Sequence, residues 1–256
     1  MIPKKIHYCW FGNKSLPEEA RKYIESWKYY CPDYEIVEWN ETNFDMNCCT
    51  YVYEAYKAKK WAFVSDYARF YILYKYGGIY FDTDVEMIRP IEDILDNGAF
   101  MGIEAGKDVL VAPGLGIGVE AGNMIYKEIV DYYHSQSFYT EDGSINKMTV
   151  VTRVSEILRE HGYQGTGNKE KVENITIYPS DYFCPVNYHN GKIAITENTR
   201  TIHHYAETWH NPAEKKIDAI RRKLYDTSFH DSYLEKLAIF PFRVWNKVIN
   251  IKEKRN

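Results

Sequence analysis

Apolar and polar positions in the first 40 residues follow the order strand, helix, strand. Residues 6–11 form a β-rich apolar run that ends at Gly12, within a common turn sequence. Pro17 then opens a segment whose apolar residues recur at helical spacing as far as Tyr30. Residues 34–39 again have the pattern of a strand. A β-α-β opening of this kind predicts a parallel sheet.

The next part of the chain has the pattern of a long helix followed by a buried strand. Residues 51–76 have a helical pattern that we expect to break near Lys60 and to end at Gly77-Gly78. An apolar strand at residues 79–81 follows at once. Further elements are predicted downstream, with strands at residues 99–103, 109–111, 115–119, 175–178 and 193–196, and helices at about 123–133 and 149–160.

The domain organisation follows from what the chain lacks and from one helix start signal. No internal repeat, low-complexity tract or Gly/Ser-rich linker interrupts the sequence. Asn211-Pro212 has the pattern of a helix cap followed by an N1 proline, and it opens a basic tail. We therefore predict one α/β domain over residues 1–210, with a Rossmann-like mixed sheet flanked by helices, and a helical extension over residues 211–256.

The charge balance excludes one large class of function. The chain of 256 residues carries 32 Lys and Arg against 36 Asp and Glu, a formal net charge of −4. A protein that binds nucleic acid through a dense basic surface has the opposite balance, so we expect no nucleic-acid partner. The hydrophobic content of 45% is that of a globular protein. The 24 tyrosines are more numerous than usual, and such rings serve both as packing and as sugar or nucleotide contacts.

Cysteine usage and the N-terminal residues predict a cytoplasmic protein. The five cysteines are odd in number and lack the C-x-x-C spacing of a zinc site, which favours a reducing compartment. The first residues lack the apolar run of a signal peptide. No segment approaches about 18 uninterrupted apolar residues, so we expect no membrane span.

The sharpest chemical signal is the pair Asp82 and Asp84, which directly follows the apolar strand at residues 79–81. Two carboxylates separated by one residue suit a divalent cation such as Mg²⁺ or Mn²⁺. Open α/β sheets bind their ligands at the carboxyl ends of the strands. We therefore interpret the pair as a metal site, and not as exposed acids in a surface turn.

Two further groups of residues lie on either side of this pair in the sequence. Asp66 and Arg69 are three residues apart on the preceding helix and so share a face, either as a plain helical ion pair or as part of the same pocket. His203 and His204 precede Trp209 near the end of the predicted domain. Histidine is the usual nitrogen ligand that completes a carboxylate metal site, although paired structural histidines are an open alternative.

In this order, these motifs resemble the DXD-containing glycosyltransferases of family 32, which include bacterial capsule and lipopolysaccharide sugar transferases and related yeast mannosyltransferases. The resemblance covers about the first 210 residues. It is carried by residues 2–12, 63–69 and 76–85 and by His203-His204 with Trp209. It implies a GT-A fold and a retaining, metal-dependent transfer of a sugar from a nucleotide-sugar donor to a glycan or lipid-linked acceptor, in surface polysaccharide biosynthesis.

The resemblance also implies a role for each matching residue. Trp10 would stack on the nucleotide base, and Asp66 with Arg69 would hold the donor sugar. The remaining expected contacts are a Mn²⁺ or Mg²⁺ ion held by Asp82, Asp84 and His204, and a diphosphate approached by Thr208 and Trp209. The chain departs from the family at Ala112-Pro113, where relatives often have polar residues. The glycines 114, 116 and 118 that follow lack the preceding strand of a dinucleotide-binding motif, and a tight turn in an edge strand is an open alternative for them.

Two other functions stay open on the residues alone. A haloacid-dehalogenase-type phosphatase also carries D-x-D after a buried strand, but Glu86 stands where that motif has Thr or Val. A non-catalytic carbohydrate-binding or nucleotide-sugar-binding protein could use the same aromatic residues and metal. A calcium loop fits less well still: Asp82, Asp84 and Glu86 match its start, but Met87 stands where its turn glycine belongs.

The tail beyond residue 211 mixes cations with interfacial aromatic residues. Arg243 and Lys247 alternate with Phe240, Phe242 and Trp245, a composition that anionic lipid surfaces attract. We expect either a peripheral contact with the inner face of the cell membrane or a helix that packs on the catalytic domain.

Overall fold

The computed structural model describes residues 1–106, 109–206 and 211–253. Its packing divides the chain into two units, one built from residues 1–185 and 194–204 and the other from residues 186–193 and the chain after 204. The predicted division into residues 1–210 and 211–256 stays a prediction. No described helix is both long and apolar enough to cross a membrane.

The first unit is organised around a seven-stranded sheet in the order β2-β1-β3-β6-β5-β8-β7. Its strands are β1 (Lys5–Cys9), β2 (Glu35–Trp39), β3 (Gly78–Tyr80), β5 (Ala99–Gly102), β6 (Ile117–Val119), β7 (Glu170–Val172) and β8 (Ile175–Tyr178). The β2-β1-β3 half is parallel, as predicted, and β6 runs antiparallel to both of its neighbours. A second, two-stranded sheet pairs β4 (Val85–Met87) with β9 (Thr201–His203).

Helices flank the large sheet. They are α1 (Glu18–Tyr30), α2 (Thr50–Lys57), α3 (Trp61–Tyr76), α4 (Glu92–Leu95), α5 (Met124–His134), α6 (Val150–Glu160) and α7 (Ser180–Phe183). The break expected near Lys60 separates α2 from α3. The mixed sheet with flanking helices confirms the predicted α/β class, and its parallel half is the Rossmann-like part that a GT-A fold requires.

Of the predicted strands, two are absent from the structure and one is shorter than expected. Residues 193–196 form no strand, and Ile193 makes a single bridge to Val186. Both isoleucines of that segment, Ile193 and Ile195, are more than half exposed, so no buried face supports a ladder. Residues 109–111 likewise contribute only a bridge at Val111. The predicted strand at residues 115–119 shortens to β6, because residues 113–115 form a turn of 3₁₀ helix.

The second unit is described here by itself. Its helices are α8 (Pro212–Leu224) and α9 (Tyr233–Glu253). Asn211 caps α8 in a capping box with Glu214, as the Asn-Pro signal predicts. The Asn211 side chain also donates to Asn246 of α9 at 2.7 Å.

His7 of β1 connects its own strand to β2 and to the end of α3. Its ring is 1% exposed and lies between the Trp39 indole and the end of α3. The Trp39 N–H donates to Nδ1 at 3.1 Å, so the proton resides on Nε2, which donates to the Gly77 carbonyl at 3.0 Å. Burial lowers the pKa of His7 to about 4. The ring is therefore neutral in the folded protein at pH values where an exposed histidine is charged.

This pKa predicts acid sensitivity. Because the folded pKa lies below the unfolded value of 6.5, the contribution of His7 is complete above pH 6.5 and is lost as the pH falls toward 4. Between pH 7 and pH 4.5 the loss should be on the order of 2–3 kcal/mol in the free energy of unfolding. Urea unfolding at both pH values should show that His7→Gln loses less stability than the wild type.

His161→Gln provides the matched control. The ring of His161 lies between Glu128 and Glu173, at 2.7 and 2.6 Å, and these carboxylates raise its pKa. Its contribution is therefore present at low pH and is lost as the pH rises, so this substitution should change the pH dependence in the opposite direction. Parallel pH curves for His7→Gln and the wild type would contradict the role of His7.

Candidate active site

A two-glycine connection brings α3 directly into β3. Gly77 and Gly78 both have positive φ, at 63° and 106°. A Cβ at Gly77 would lie 2.8 Å from the Ala121 nitrogen, and one at Gly78 would lie 2.8 Å from the Lys5 carbonyl oxygen. Only glycine fits both the backbone conformation and the space. This connection places residues of α3 beside the C-terminal end of β3.

Arg69 bridges the helix and the strand end. Its side chain is buried, and Nη2 lies 3.2 Å from Asp66 Oδ1 and 3.1 Å from Asp82 Oδ1. Its Nε also donates to the Ser65 carbonyl, which fixes the plane of the guanidinium. Burial raises the pKa of Asp66 to about 6 and also raises that of Asp82, although Arg69 opposes both shifts. The buried Arg69 guanidinium therefore pairs with two half-buried carboxylates.

Asp82 is held from two further sides. The Tyr80 hydroxyl donates to Asp82 Oδ1 at 2.9 Å, and the Arg69 guanidinium lies 5.1 Å from the centre of the Tyr80 ring. The other oxygen, Oδ2, packs against Gly114, where a Cβ would approach it to 2.1 Å. The backbone N–H of Asp82 donates to the Gly114 carbonyl. These contacts fix the orientation of the carboxylate.

Sequence reasoning missed both Tyr80 and Gly114. Tyr80 lies two residues before Asp82 in extended chain, so the period of two already places both side chains on one face. Gly114 begins the Gly-x-Gly-x-Gly segment. The next two glycines lie against aromatic rings, because a Cβ would come within 2.6 Å of Phe81 at Gly116 and within 2.3 Å of Phe100 at Gly118.

The interpretation of these glycines as an edge-strand turn is therefore wrong. Strand β6, which contains Gly118, lies inside the sheet between β3 and β5. The absent side chains leave space for one carboxylate and two rings on neighbouring elements.

Asp84 pairs with a histidine from the other end of the domain. The ladder between β4 and β9 sets Val85 opposite His203, and His203 Nε2 lies 3.1 Å from Asp84 Oδ1. Burial lowers the pKa of His203, but the charge and hydrogen bond of Asp84, together with the charges of Asp82 and Glu104, outweigh burial, and the net shift of this pKa is upward. Ligand atoms of Asp82, Asp84 and His203 lie within 4.8 Å of one another, close enough to hold one metal ion.

The structure places His204, the predicted metal ligand, in different surroundings. Its Nε2 lies 2.8 Å from Glu86 Oε2, and its ring stacks on Tyr23 with centres 4.6 Å apart. Successive side chains of an extended chain point to opposite faces, so His203 and His204 cannot both face Asp84. Of the two histidines, His203 is the one that the structure places against Asp84, and the assignment of His204 as a metal ligand stays a prediction.

Of the remaining predicted site residues, the structure describes Trp10 but not Thr208 or Trp209. Trp10 follows β1, is half-buried, and donates its indole N–H to the Lys14 carbonyl. Thr208 and Trp209 lie outside the described residues. Among the described residues, contacts join Asp66, Arg69 and Asp82, and separately Asp84 with His203.

The donor set fits a hard divalent cation. Two carboxylates supply anionic oxygens, and an imidazole supplies one nitrogen, a combination that suits Mn²⁺ and accommodates Mg²⁺. The three residues come from the β3-β4 connection and from β9, so both sheets position them. A metal ion there would offset the negative charge that Arg69 alone leaves uncompensated.

Comparison with known proteins finds similarity to glycosyltransferases. A family model described as "Glycosyltransferase sugar-binding region containing DXD motif" matches residues 17–101. An uncharacterized glycosyltransferase of Acanthamoeba polyphaga mimivirus is 29% identical over 201 residues, which cover 75% of this chain and 76% of that protein. Inositol phosphoceramide mannosyltransferase 3 of Schizosaccharomyces pombe is 33% identical over 108 residues, 39% of this chain and 29% of that protein. The structure of the PaToxG glycosyltransferase covers 62% of this chain and 69% of its own, with a TM-score of 0.46 and 20% identity.

These matches define the class, and the chain is a glycosyltransferase, which confirms the predicted kind of enzyme. More particularly, it is one with a DXD region, and the matched residues include Asp66, Arg69, Asp82 and Asp84. The mannosyl specificity in the name of the Schizosaccharomyces pombe relative is a property of that protein.

The packing of Gly114 against Asp82 predicts the effect of a single methyl group. Gly114→Ala should displace the Asp82 carboxylate and weaken Mn²⁺ binding by on the order of tenfold or more, because ligand groups must be held to within about 0.5 Å. Isothermal titration with Mn²⁺, corrected for the folded fraction, measures the effect.

Gly118→Ala is the matched control, since its added Cβ meets the Phe100 ring and not a carboxylate. It should lower stability by about 1–3 kcal/mol and leave the Mn²⁺ affinity of the folded fraction unchanged. Equal Mn²⁺ affinities for Gly114→Ala and the wild type would show that Gly114 does not position Asp82.

Proposed function

We propose that the protein is a metal-dependent, retaining glycosyltransferase that moves a sugar from a nucleotide-sugar donor to a glycan or lipid-linked acceptor. The observation that carries the proposal is the convergence of Asp82, Asp84 and His203 beside the buried Arg69. Carboxylates alone repel a diphosphate, so the site needs a cation to bind such a donor.

Each residue has a distinct task in this proposal. Asp82, Asp84 and His203 hold Mn²⁺ or Mg²⁺, which when bound neutralises charge on the departing diphosphate. Asp66 and Arg69 bind hydroxyl groups of the donor sugar, and their mutual ion pair fixes both side chains before the donor arrives. Trp10 stacks on the base, and Thr208 and Trp209 approach the diphosphate.

The reaction exchanges one bond at the anomeric carbon of the donor. The bond from that carbon to the diphosphate oxygen breaks, and a bond to the acceptor hydroxyl oxygen forms on the same face. The hydroxyl proton passes to the departing phosphate. In this front-face course, Asp66 and Asp82, which both pair with Arg69, bind the donor and do not attack it.

Removal of the metal or of Asp84 tests the proposal. Donor turnover should require Mn²⁺ or Mg²⁺ and should stop in excess EDTA. Asp84→Asn should reduce turnover by on the order of a hundredfold or more, the scale for losing a preorganised electrostatic contact, while the protein stays folded. Full turnover with EDTA or with Asp84→Asn would refute the proposal.

The two adjacent histidines provide a matched pair for the same assay. His203→Gln should raise the Mn²⁺ concentration needed for half-maximal activity, whereas His204→Gln should leave it unchanged, because His204 contacts Glu86 and Tyr23. Trp10→Ala should raise the donor KM without altering the Mn²⁺ requirement. The reverse behaviour of the histidines would restore His204 as the ligand.

For the acceptor, we propose a lipid-linked glycan of surface polysaccharide biosynthesis, such as capsule or lipopolysaccharide, reached from the cytoplasmic face of the membrane. The support comes from α9. Its exposed apolar side chains are Leu234, Leu237, Phe240, Val244, Trp245 and Val248. Exposed Lys236, Arg243 and Lys247 lie on the same helix. Apolar and cationic groups together fit an anionic lipid surface.

Liposome flotation tests this membrane contact. The full chain should float with vesicles containing phosphatidylglycerol and not with neutral vesicles. The double substitution Trp245→Glu with Val248→Glu should abolish flotation, since it places acids on the exposed face of α9. Tyr29→Glu, which alters an exposed aromatic residue in the first unit, is the control and should float like the wild type. A wild-type chain that stays at the bottom with anionic vesicles would remove the membrane contact.

A further inference from the structure

Helices α5 and α6 border a cleft of about 300 Å³ in the first unit. Four acidic side chains line it, together with an arginine, a tyrosine and an isoleucine; the acids are Glu128, Asp131, Glu156 and Glu160. None of the lining residues belongs to the candidate active site. The volume lies at the lower end of the range typical of small-molecule sites, about 300–1,000 Å³. The cleft therefore has room for a small ligand.

Arg153 of α6 is the buried part of the cleft lining. It is 1% exposed, and its guanidinium carbon lies 5.4–5.6 Å from the ring centres of Tyr51, Tyr132 and Tyr133. Its Nε donates to the Met148 carbonyl at 3.2 Å, and its Nη1 donates to the Tyr132 hydroxyl at 3.3 Å. The buried Nη2 has no hydrogen-bond partner among the residues that the structure describes. An unsatisfied buried donor is costly, and a ligand in the cleft would supply the missing acceptor.

The acids of the cleft differ in their charge partners. Glu128 and Asp131 of α5 already pair with a histidine and a lysine, respectively. Glu156 and Glu160 are exposed and have no ion pair within the described part of the chain. They are four residues apart on α6 and so share one face of the helix. Two carboxylates are therefore available as hydrogen-bond acceptors where the cleft opens to solvent.

A ligand for this cleft needs both kinds of hydrogen-bonding group. It has to accept a hydrogen bond from the Arg153 guanidinium and donate to Glu156 and Glu160. A simple cation has nothing for the guanidinium to donate to, and a simple anion would be repelled by the carboxylates. Hydroxyl groups both donate and accept, so a molecule with several of them satisfies the whole set.

The apolar part of the lining is suited to the same class of ligand. The Tyr132 ring and the Ile157 side chain border the cleft, and they offer apolar contacts to the C–H groups of a sugar ring. We propose that the cleft between α5 and α6 is a second carbohydrate-binding site, separate from the donor site, and that it holds one sugar unit of the acceptor. This inference rests on the proposed function, in which the acceptor is a glycan.

The first test measures sugar binding without metal or donor. The wild-type chain in EDTA is titrated with the methyl glycosides of glucose, mannose, galactose and N-acetylglucosamine, and binding is followed by saturation-transfer NMR. At least one of these glycosides should bind with a millimolar Kd, the scale for a small ligand held by a few hydrogen bonds. Absence of binding by all four would overturn the proposal.

Substitutions in the cleft locate the bound sugar. The double substitution Glu156→Ala with Glu160→Ala should raise the Kd of the bound glycoside at least about tenfold, because it removes two charged hydrogen-bond acceptors. Both positions are exposed and helical, where alanine is well tolerated. Arg153→Met should also weaken binding per folded molecule, but its conclusion does not depend on this buried position alone. Equal Kd values for the double variant and the wild type would refute the proposal.

Glu141→Ala is the matched control, since it removes an exposed acid that does not line the cleft. It should bind the glycoside like the wild type, and a loss equal to that of the double variant would show a general effect of charge and refute the proposal. Spermidine tests the alternative of a cation site. Displacement of the glycoside is not expected, and binding of spermidine in the cleft without any binding of glycoside would also refute the proposal.

Variants of the donor site separate this inference from the proposed function. Asp66→Asn and Asp84→Asn should bind the glycoside in EDTA as the wild type does, and loss of binding in both would place the sugar in the candidate active site and overturn the second site. A wild type that binds glycosides in the cleft but has no donor turnover would refute the proposed function. A wild type with donor turnover that binds none of the glycosides would refute this inference alone.

Discussion

The contact of one Arg69 nitrogen with both Asp66 and Asp82 connects the functional parts of the first unit. It joins a helix to the end of a strand across only two glycines, so a small displacement of either element would separate the charges. The guanidinium is planar and its Nε is held by the helix backbone, so it has little freedom to move with a displaced carboxylate. Arg69 is buried and the two carboxylates are half-buried. This partial removal from water raises the pKa of both Asp66 and Asp82.

The candidate active site contains more acidic than basic side chains. Three aspartates meet Arg69 and His203, and the pKa of His203 is raised by the field of Asp84. Negative charge that nearby cations do not neutralise favours the binding of a positive ion.

Several features of this arrangement are visible in the primary structure. The sequence of apolar strand, acidic pair and preceding helix identified Asp66, Arg69, Asp82 and Asp84 as neighbours, because their spacing is local and the glycine connection leaves few alternatives. The β-α-β opening likewise predicted the parallel half of the sheet, now seen as β2-β1-β3. The interruption of the helical pattern near Lys60 also predicted the break between α2 and α3.

Tertiary structure decided what depends on partners distant in sequence. Which of two adjacent histidines faces Asp84 depends on the register of β9 against β4, and a shift of one residue would exchange them. The need for glycine at positions 114, 116 and 118 is also a tertiary property. The space that a side chain would occupy there is filled by a carboxylate or an aromatic ring from another element. Arg153 appears as an ordinary helical cation until its burial among tyrosines is known. The sequence by itself determined the residues of the local motif and the class of fold, since periodicity and turn chemistry act over a few residues. Register, burial and charge balance arise from contacts across the whole domain, and only the folded chain could decide them.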